Sequence, residues 1–229
     1  MSETVTTRQI PGRIKVLIVE FVLFYVLWTC WSVFLVPAAE AALGKTVLCE
    51  TVKGCVKLLV WVLPAALLVR KFEPECVCGL KQMFTEKVPL KWVLLWTLLF
   101  FLLSSGAFWK GIWQGTLHID PNFSADTHLW LLFVGITEEM MFRGWLLNAT
   151  AKSASDWKMI ALNALMFMSI HFPGWYRKGT LVTAFTSGGF LTLLLFSVLV
   201  SICFLKHRNL LLPVWLHMLY DFMLDFFAA

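Results

Sequence analysis

The sequence predicts an all-α protein, a polytopic membrane bundle of about seven transmembrane helices. Of its 229 residues, 59% are hydrophobic and only 14% are charged, and the mean hydropathy is +0.78. Soluble domains are about 45–50% apolar and about 25% charged, so this composition excludes an ordinary soluble fold. Because no linker-like or repeated stretch divides the chain, we expect one membrane domain.

Seven apolar runs approach the length of about 20 residues that crosses a bilayer. They cover residues 16–36, 52–69, 89–108, 129–148, 157–172, 181–204 and 211–228. Lys53 and Lys57 interrupt the second run, the fifth is short, and the loop 110–127 is long enough to dip back into the membrane, so we expect about six to eight helices. The first run is longer than the hydrophobic region of a secretory signal and contains Glu20, which predicts an uncleaved helix.

The distribution of basic residues predicts a cytoplasmic N-terminus. In that orientation most Lys and Arg residues, including Arg8, Arg13 and Lys15 of a basic leader, lie at the cytoplasmic ends of the apolar runs. Topology and anionic lipid headgroups then account for the net charge of +5. We therefore expect membrane lipid as a partner and no nucleic acid. Cys76 and Cys78 fall in a cytoplasmic loop, and their spacing is too weak to indicate a metal site.

Three ionisable side chains lie in residues 138–143, inside the fourth apolar run. A charge near the bilayer centre costs roughly 2.5–3.5 kcal/mol, so these groups need partners, a wet cavity or a function. Glu139 and Arg143 are four residues apart with the acid first, which favours an ion pair along a helix. Glu138 points about 100° away and is left as the unpaired acid, able to act as a general base toward water. The alternative is a salt-bridge cluster that only fixes helix packing.

His171 lies at the end of the fifth apolar run, where Pro173 ends the helix. Phe167 precedes it by one turn and is expected to pack beside it. Taken alone, this histidine is as readily an interfacial or capping residue as a functional one. If the fifth helix spans regularly, His171 lies near the outer surface and His217 near the inner one. The two then meet only if helices tilt or break, or if Pro173 lies in a re-entrant turn.

His217 and Asp221 lie four residues apart in the last apolar run and share one helix face. Imidazole and carboxylate both suit zinc, so the pair could chelate a metal. Alternatively, Asp221 could hold His217 in one tautomer. Asp225 continues this face toward the membrane interface. Glu20 could be a further member of the site, although a lone Glu near a helix start usually reaches for the interface.

The three motifs, taken in order, resemble those of the CPBP family of intramembrane proteases. This family includes type II CAAX prenyl endopeptidases and the Abi proteins of bacteriocin processing and immunity. Its motifs EExxxR, FxxxH and HxxxN or HxxxD are matched by Glu138, Glu139 and Arg143, by Phe167 and His171, and by His217 and Asp221. The resemblance divides the chain into residues 1–126, helices without a matched motif, and residues 127–229, a catalytic core of four helices.

The resemblance implies a helical membrane fold whose polar cavity opens within the bilayer. It also implies an intramembrane protease in which Glu138 and His171 activate water for peptide-bond hydrolysis. His217 and Asp221 then either support the oxyanion or, with His171, bind Zn²⁺. An ionised Asp221 would repel an oxyanion, which favours a metalloprotease, while a metal-free glutamate mechanism stays open. Glu139, Arg143 and Phe167 are supporting residues.

The expected substrate is a short peptide or a protein tail. The small size and the lack of targeting extensions favour a bacterial plasma membrane, and a leader or pheromone peptide over a prenylated tail. Neither the substrate sequence nor the oligomeric state follows from the chain.

Three rival functions remain. A non-catalytic immunity or scaffold protein could share the fold, although polar residues are costly to keep in a membrane. A b-type haem protein would use His171 and His217 as axial ligands but leaves the acidic cluster unexplained. A proton-coupled transporter would usually show internal repeats, and none is visible in the sequence.

Overall fold

The computed structural model describes residues 12–124 and 128–228, which are almost entirely α-helical, as predicted. Arg8 of the basic leader and the predicted boundary between residues 126 and 127 lie outside the described residues. The helices of the first half are α1 (Gly12–Leu43), α2 (Val47–Lys71), α3 (Leu80–Thr85), α4 (Leu90–Ser104) and α5 (Gly106–Gln114). Those of the second half are α6 (residues 131–150), α7 (Trp157–Ser169), α8 (Phe172–Lys178), α9 (Leu181–Thr186), α10 (Gly189–His207) and α11 (Leu211–Phe226).

Within the described chain, α1, α2 and α10 are each long and apolar enough to cross a membrane. The pair α4 and α5, bent by 61° at the break between them, would make a fourth span. With 13 and 16 residues, α7 and α11 are shorter than a full crossing. The chain is therefore an integral membrane protein of helical class, and the expected number of about seven spans stays a prediction.

The loop after α5 does not form a helix of its own in the part the structure describes. Its strand β1 (His118–Ile119) pairs in antiparallel fashion with β2 (Phe227–Ala228), directly after α11. The backbone N–H of Asp120 also donates to the carbonyl of Phe226, at 3.0 Å. The C-terminal end of α11 is thereby held against the loop that precedes α6.

Stretches of π-helix interrupt α1, α2 and α6 at Trp31–Leu35, Leu58–Val62 and Met140–Leu147. Such turns are rare and recur at functional sites, because the extra residue in the turn changes the direction of the side chains. In α2 the π-helix begins directly after Lys57, and in α6 directly after Glu139. Both residues belong to the site described below.

The helices that carry the sequence motifs pack against one another. α11 contacts α4, α6 and α10, α7 packs along α10, and α6 packs against α2. Gly135 of α6 makes the approach of α11 possible, because a Cβ atom there would lie 2.9 Å from the carbonyl oxygen of Val214. Small residues allow this kind of close packing between membrane helices.

The break between α7 and α8 explains how His171 reaches the interior. Pro173 stands in the first turn of α8, where its missing N–H costs nothing, and it cannot continue α7. With 13 residues, α7 is about 20 Å long, short of the hydrocarbon thickness of about 30 Å. His171 lies two residues after the last residue of α7, so it does not lie at the far end of a full span. Pro173 lies in α8, the helix that follows.

Candidate active site

A buried cavity of about 280 Å³ lies where α2, α6, α10, α11 and the break between α7 and α8 meet. All four predicted catalytic residues face it. Its lining consists of Lys57, Trp130, Val134, Glu138, His171, Leu193, Phe196, His217, Tyr220 and Asp221. The cavity thus gathers side chains from both halves of the chain.

Glu139 and Arg143 form the ion pair that their spacing predicted. Arg143 Nη1 donates to Glu139 Oε1 at 3.0 Å, and both side chains are fully buried. The guanidinium also donates from Nη2 to Ser197 Oγ, at 2.8 Å, and lies 4.5 Å from the centre of the Phe167 ring. The pair therefore ties α6 to α10 and α7, a structural role.

His217 is held by Glu139 rather than by Asp221. Its Nδ1 lies 2.7 Å from Glu139 Oε1, whereas its Nε2 lies 3.4 Å from Asp221 Oδ2 and 3.9 Å from Glu138 Oε2. Of the two alternatives for Asp221, the one in which it holds the tautomer of His217 is not the arrangement seen, because the shorter contact belongs to the acid on α6. Glu139 orients the ring, and Nε2 faces the cavity.

Glu138 is not the unpaired acid that the sequence predicted. Lys57 of α2 donates from Nζ to Glu138 Oε1 at 3.1 Å. The other carboxylate oxygen, Oε2, is buried and has no hydrogen-bond partner among the described residues. An ionised carboxylate can accept at both oxygens, so Oε2 keeps its capacity to accept a hydrogen bond. It is the oxygen that lies toward His217.

His171 lies beside Phe167, as predicted from their spacing. Its Nδ1 lies 3.1 Å from the Phe167 carbonyl oxygen, and the two rings are 5.2 Å apart. The contact suits a ring that carries its proton on Nδ1, which leaves Nε2 as the acceptor. Tautomers are inferred from such contacts. Phe167 also packs within 5.9 Å of the His217 ring, so it contacts both imidazoles.

The predicted zinc ligands, His171, His217 and Asp221, all line the cavity. Within residues 12–124 and 128–228, no group of three His, Cys, Asp or Glu side chains is placed to hold a metal ion. Glu139 contacts Nδ1 of His217, which leaves Nε2 toward the cavity, and the ammonium of Lys57 lies beside Glu138. Zinc binding by His171, His217 and Asp221 stays a prediction, and the mechanism proposed below is written without a metal.

Other polar residues noted in the sequence lie elsewhere. Glu20 accepts a hydrogen bond from Trp145 Nε1, at 3.2 Å, and does not line the cavity. Asp225 Oδ2 lies 3.8 Å from His128 Nε2, beyond the end of the site. Cys78 lies in the turn after α2, where burial raises the pKa of its thiol to about 12, so it is protonated at neutral pH.

Sequence reasoning missed Lys57 and Ser197. The sequence marks Lys57 only as a charge that interrupts the second apolar run, and Ser197 belongs to none of the three motifs. The sequence offered one signal for Lys57: it is a charged residue inside an apolar run. The partner of that charge could not be read from spacing, since it lies 81 residues away.

The fold and this cavity define an integral membrane protein with a polar site enclosed by helices. Residues 120–223 match the family model of the type II CAAX prenyl endopeptidase Rce1-like proteins. The predicted resemblance is confirmed over this part of the chain, which carries all three motifs. The match supports an intramembrane protease of the CAAX type, which acts on a peptide or protein tail. No curated protein and no solved structure matches the chain.

Proposed function

We propose that the chain is an intramembrane endopeptidase that hydrolyses a peptide bond in a short peptide or protein tail with water activated by Glu138 and His171. One observation carries this proposal: Glu138 Oε2, a buried acceptor without a hydrogen-bond partner in the described chain, faces the same cavity as both imidazoles. Oε2 of Glu139 is also buried without a partner, but Glu139 does not line the cavity, whereas Glu138 does. A general base needs one oxygen able to accept a proton from water.

In the proposed reaction, Glu138 Oε2 accepts a proton while the water oxygen bonds to the carbonyl carbon. Nε2 of His171 can accept a second hydrogen bond from that water and so orient it. When the tetrahedral intermediate collapses, its C–N bond breaks. The proton on Glu138 then passes to the leaving amine, so the carboxylate is regenerated.

We assign to His217 the stabilisation of the oxyanion that develops on the substrate. In the imidazolium form both ring nitrogens donate, so Nδ1–H donates to Glu139 while Nε2–H faces the cavity. Three carboxylates lie around this ring at 2.7 to 3.9 Å, which favours the charged form. Asp221 then supports the charge on His217 and does not contact the oxyanion itself.

The substrate can approach from a second, wider cavity of about 730 Å³. The two cavities share Lys57 and Trp130, so they adjoin. The wider one has both ionic and aromatic walls, which suits a peptide better than a lipid chain. The proposal places the protein in a bacterial plasma membrane, which its small size favours, with the N-terminus inside, which follows from the distribution of basic residues.

The test is cleavage by the purified protein in lipid vesicles. A mixture of quenched fluorescent peptides is offered to the wild type, to Glu138→Gln and to Glu20→Gln. Glu20 is a matched control, a membrane carboxylate bonded to Trp145 away from the cavity. We expect cleavage by the wild type and Glu20→Gln only. If no peptide is cleaved by any of them, the non-catalytic alternative is favoured.

Chelation separates the two mechanisms that the motifs leave open. Activity that survives exhaustive chelation agrees with the glutamate mechanism described above. Activity that is lost on chelation and restored by Zn²⁺ would mean that the side chains rearrange around a metal, and the roles given to His217 and Asp221 would then be wrong.

A further inference from the structure

Lys57 is a charged residue of the cavity that none of the three motifs contains. It lies on α2, in the part of the chain outside the match to residues 120–223. It lines both adjoining cavities and makes the 3.1 Å ion pair with Glu138 Oε1. Its side chain is 19% exposed, so it reaches the acid from a mostly buried position.

Two tryptophans hold the ammonium in place. Lys57 Nζ lies 5.1 Å from the centre of the Trp28 ring and 4.9 Å from that of Trp61. Cations within about 6 Å of an aromatic face are attracted by the ring, most strongly by tryptophan. Trp61 is itself almost fully buried and packs edge-on against Trp28 and Phe24, so the clamp is part of the core. A flexible lysine is thereby confined to one position.

We infer that Lys57 is a positioning residue for Glu138: it binds Oε1 and thereby directs the free Oε2 into the cavity as the oxygen that receives the proton of water. The inference rests on the proposed function. It extends the site to a residue of the N-terminal half, and it explains why one oxygen of Glu138 is paired while the other is not.

Lys53, the other lysine in this part of α2, does not bind Glu138. Lys53 is paired with Glu40, at 3.2 Å, and with Glu50. Arg143, the other cation beside the acids, binds Glu139. Among the described residues, Lys57 is therefore the cation in direct contact with Glu138, and its removal leaves that carboxylate with its Oε1 unbonded.

The kinetic test uses the peptide that the wild type cleaves fastest. Lys57→Met keeps the length of the side chain and removes the charge, and Lys57→Arg keeps the charge. Lys71→Met is the control, because Lys71 lies over an aromatic ring on the same helix, about 21 Å further along it. We expect Lys57→Met to lower kcat by about tenfold to hundredfold with little change in KM. Lys57→Arg should recover most of kcat, and Lys71→Met should match the wild type.

A stability measurement tests the pairing without any activity. Lys57→Met should lower the unfolding temperature in detergent, and adding Glu138→Gln should restore it, because the double variant leaves no buried charge unpaired. Simple addition of the two effects would overturn the pairing.

A wild-type kcat in Lys57→Met, or equal losses in Lys57→Met and Lys57→Arg, would overturn the positioning role. Cleavage by Glu138→Gln, or none by the wild type, refutes the proposed function, and the unfolding temperatures then decide the pairing by themselves.

Discussion

Nδ1 of His217 lies 2.7 Å from Oε1 of Glu139, the same oxygen that Arg143 Nη1 reaches at 3.0 Å. One buried carboxylate thus joins the imidazole of α11 to the guanidinium of α6. Its neighbour Glu138 bonds to Lys57 through one oxygen and faces the cavity with the other. The two adjacent acids therefore have different surroundings, and we assign them different roles.

Arg143→Met should destabilise the protein strongly, because it leaves Glu139 buried without its cation. Removing one partner of a buried ion pair typically costs about 3–5 kcal/mol. Ser197→Ala is the matched change on α10, since it removes only the hydroxyl that accepts from Arg143 and should cost about 1 kcal/mol. Denaturation in detergent measures both. Equal effects of the two substitutions would show that Glu139 does not depend on Arg143.

Asp221→Asn should keep most of the cleavage rate, within about tenfold, whereas Asp221→Leu should lose far more. The amide retains an oxygen near His217 Nε2, at the position where the carboxylate now lies 3.4 Å away. Steady-state kcat, with and without added Zn²⁺, is the measurement. If Asn is as harmful as Leu, Asp221 acts through its charge, and the arm with added Zn²⁺ then separates support of the His217 imidazolium from metal ligation.

Gly135→Ala should lower stability and activity together. The new Cβ atom would lie 2.9 Å from the carbonyl oxygen of Val214 and push α11 away from α6. Overpacking of this kind costs about 1–3 kcal/mol. Gly106→Ala is the control, because a Cβ atom there meets nothing within 4 Å. An unfolding temperature and kcat unchanged in Gly135→Ala would contradict the tight contact on which the placement of His217 depends.

The helices could be predicted because their signals are local, and the four catalytic candidates because three motifs together resemble those of a known family. Apolar runs mark helices, and the spacing of Glu139 and Arg143 places them on one helix face. Contacts between distant segments could not be predicted in this way. The Glu139–His217 contact joins residues 78 positions apart, and the Lys57–Glu138 pair joins residues 81 apart.

The sequence also could not predict that His171 lies close to the other residues of the cavity. Hydropathy marks an apolar run but does not show that α7 ends after 13 residues or that α8 begins at Phe172, shortly afterwards. A regular full span would have carried His171 away from His217. The short helix brings both rings to one cavity, and Phe167 packs against each of them.

The most direct test of these roles compares Glu138→Gln with Glu139→Gln in one experiment that measures the cleavage rate and the unfolding temperature. We expect Glu138→Gln to lose at least about 10²-fold in rate while the protein still folds, because the amide still accepts from Lys57 but cannot act as a base. Glu139→Gln should unfold at a lower temperature, because the amide carries no charge to neutralise Arg143. A wild-type cleavage rate in Glu138→Gln would contradict the account.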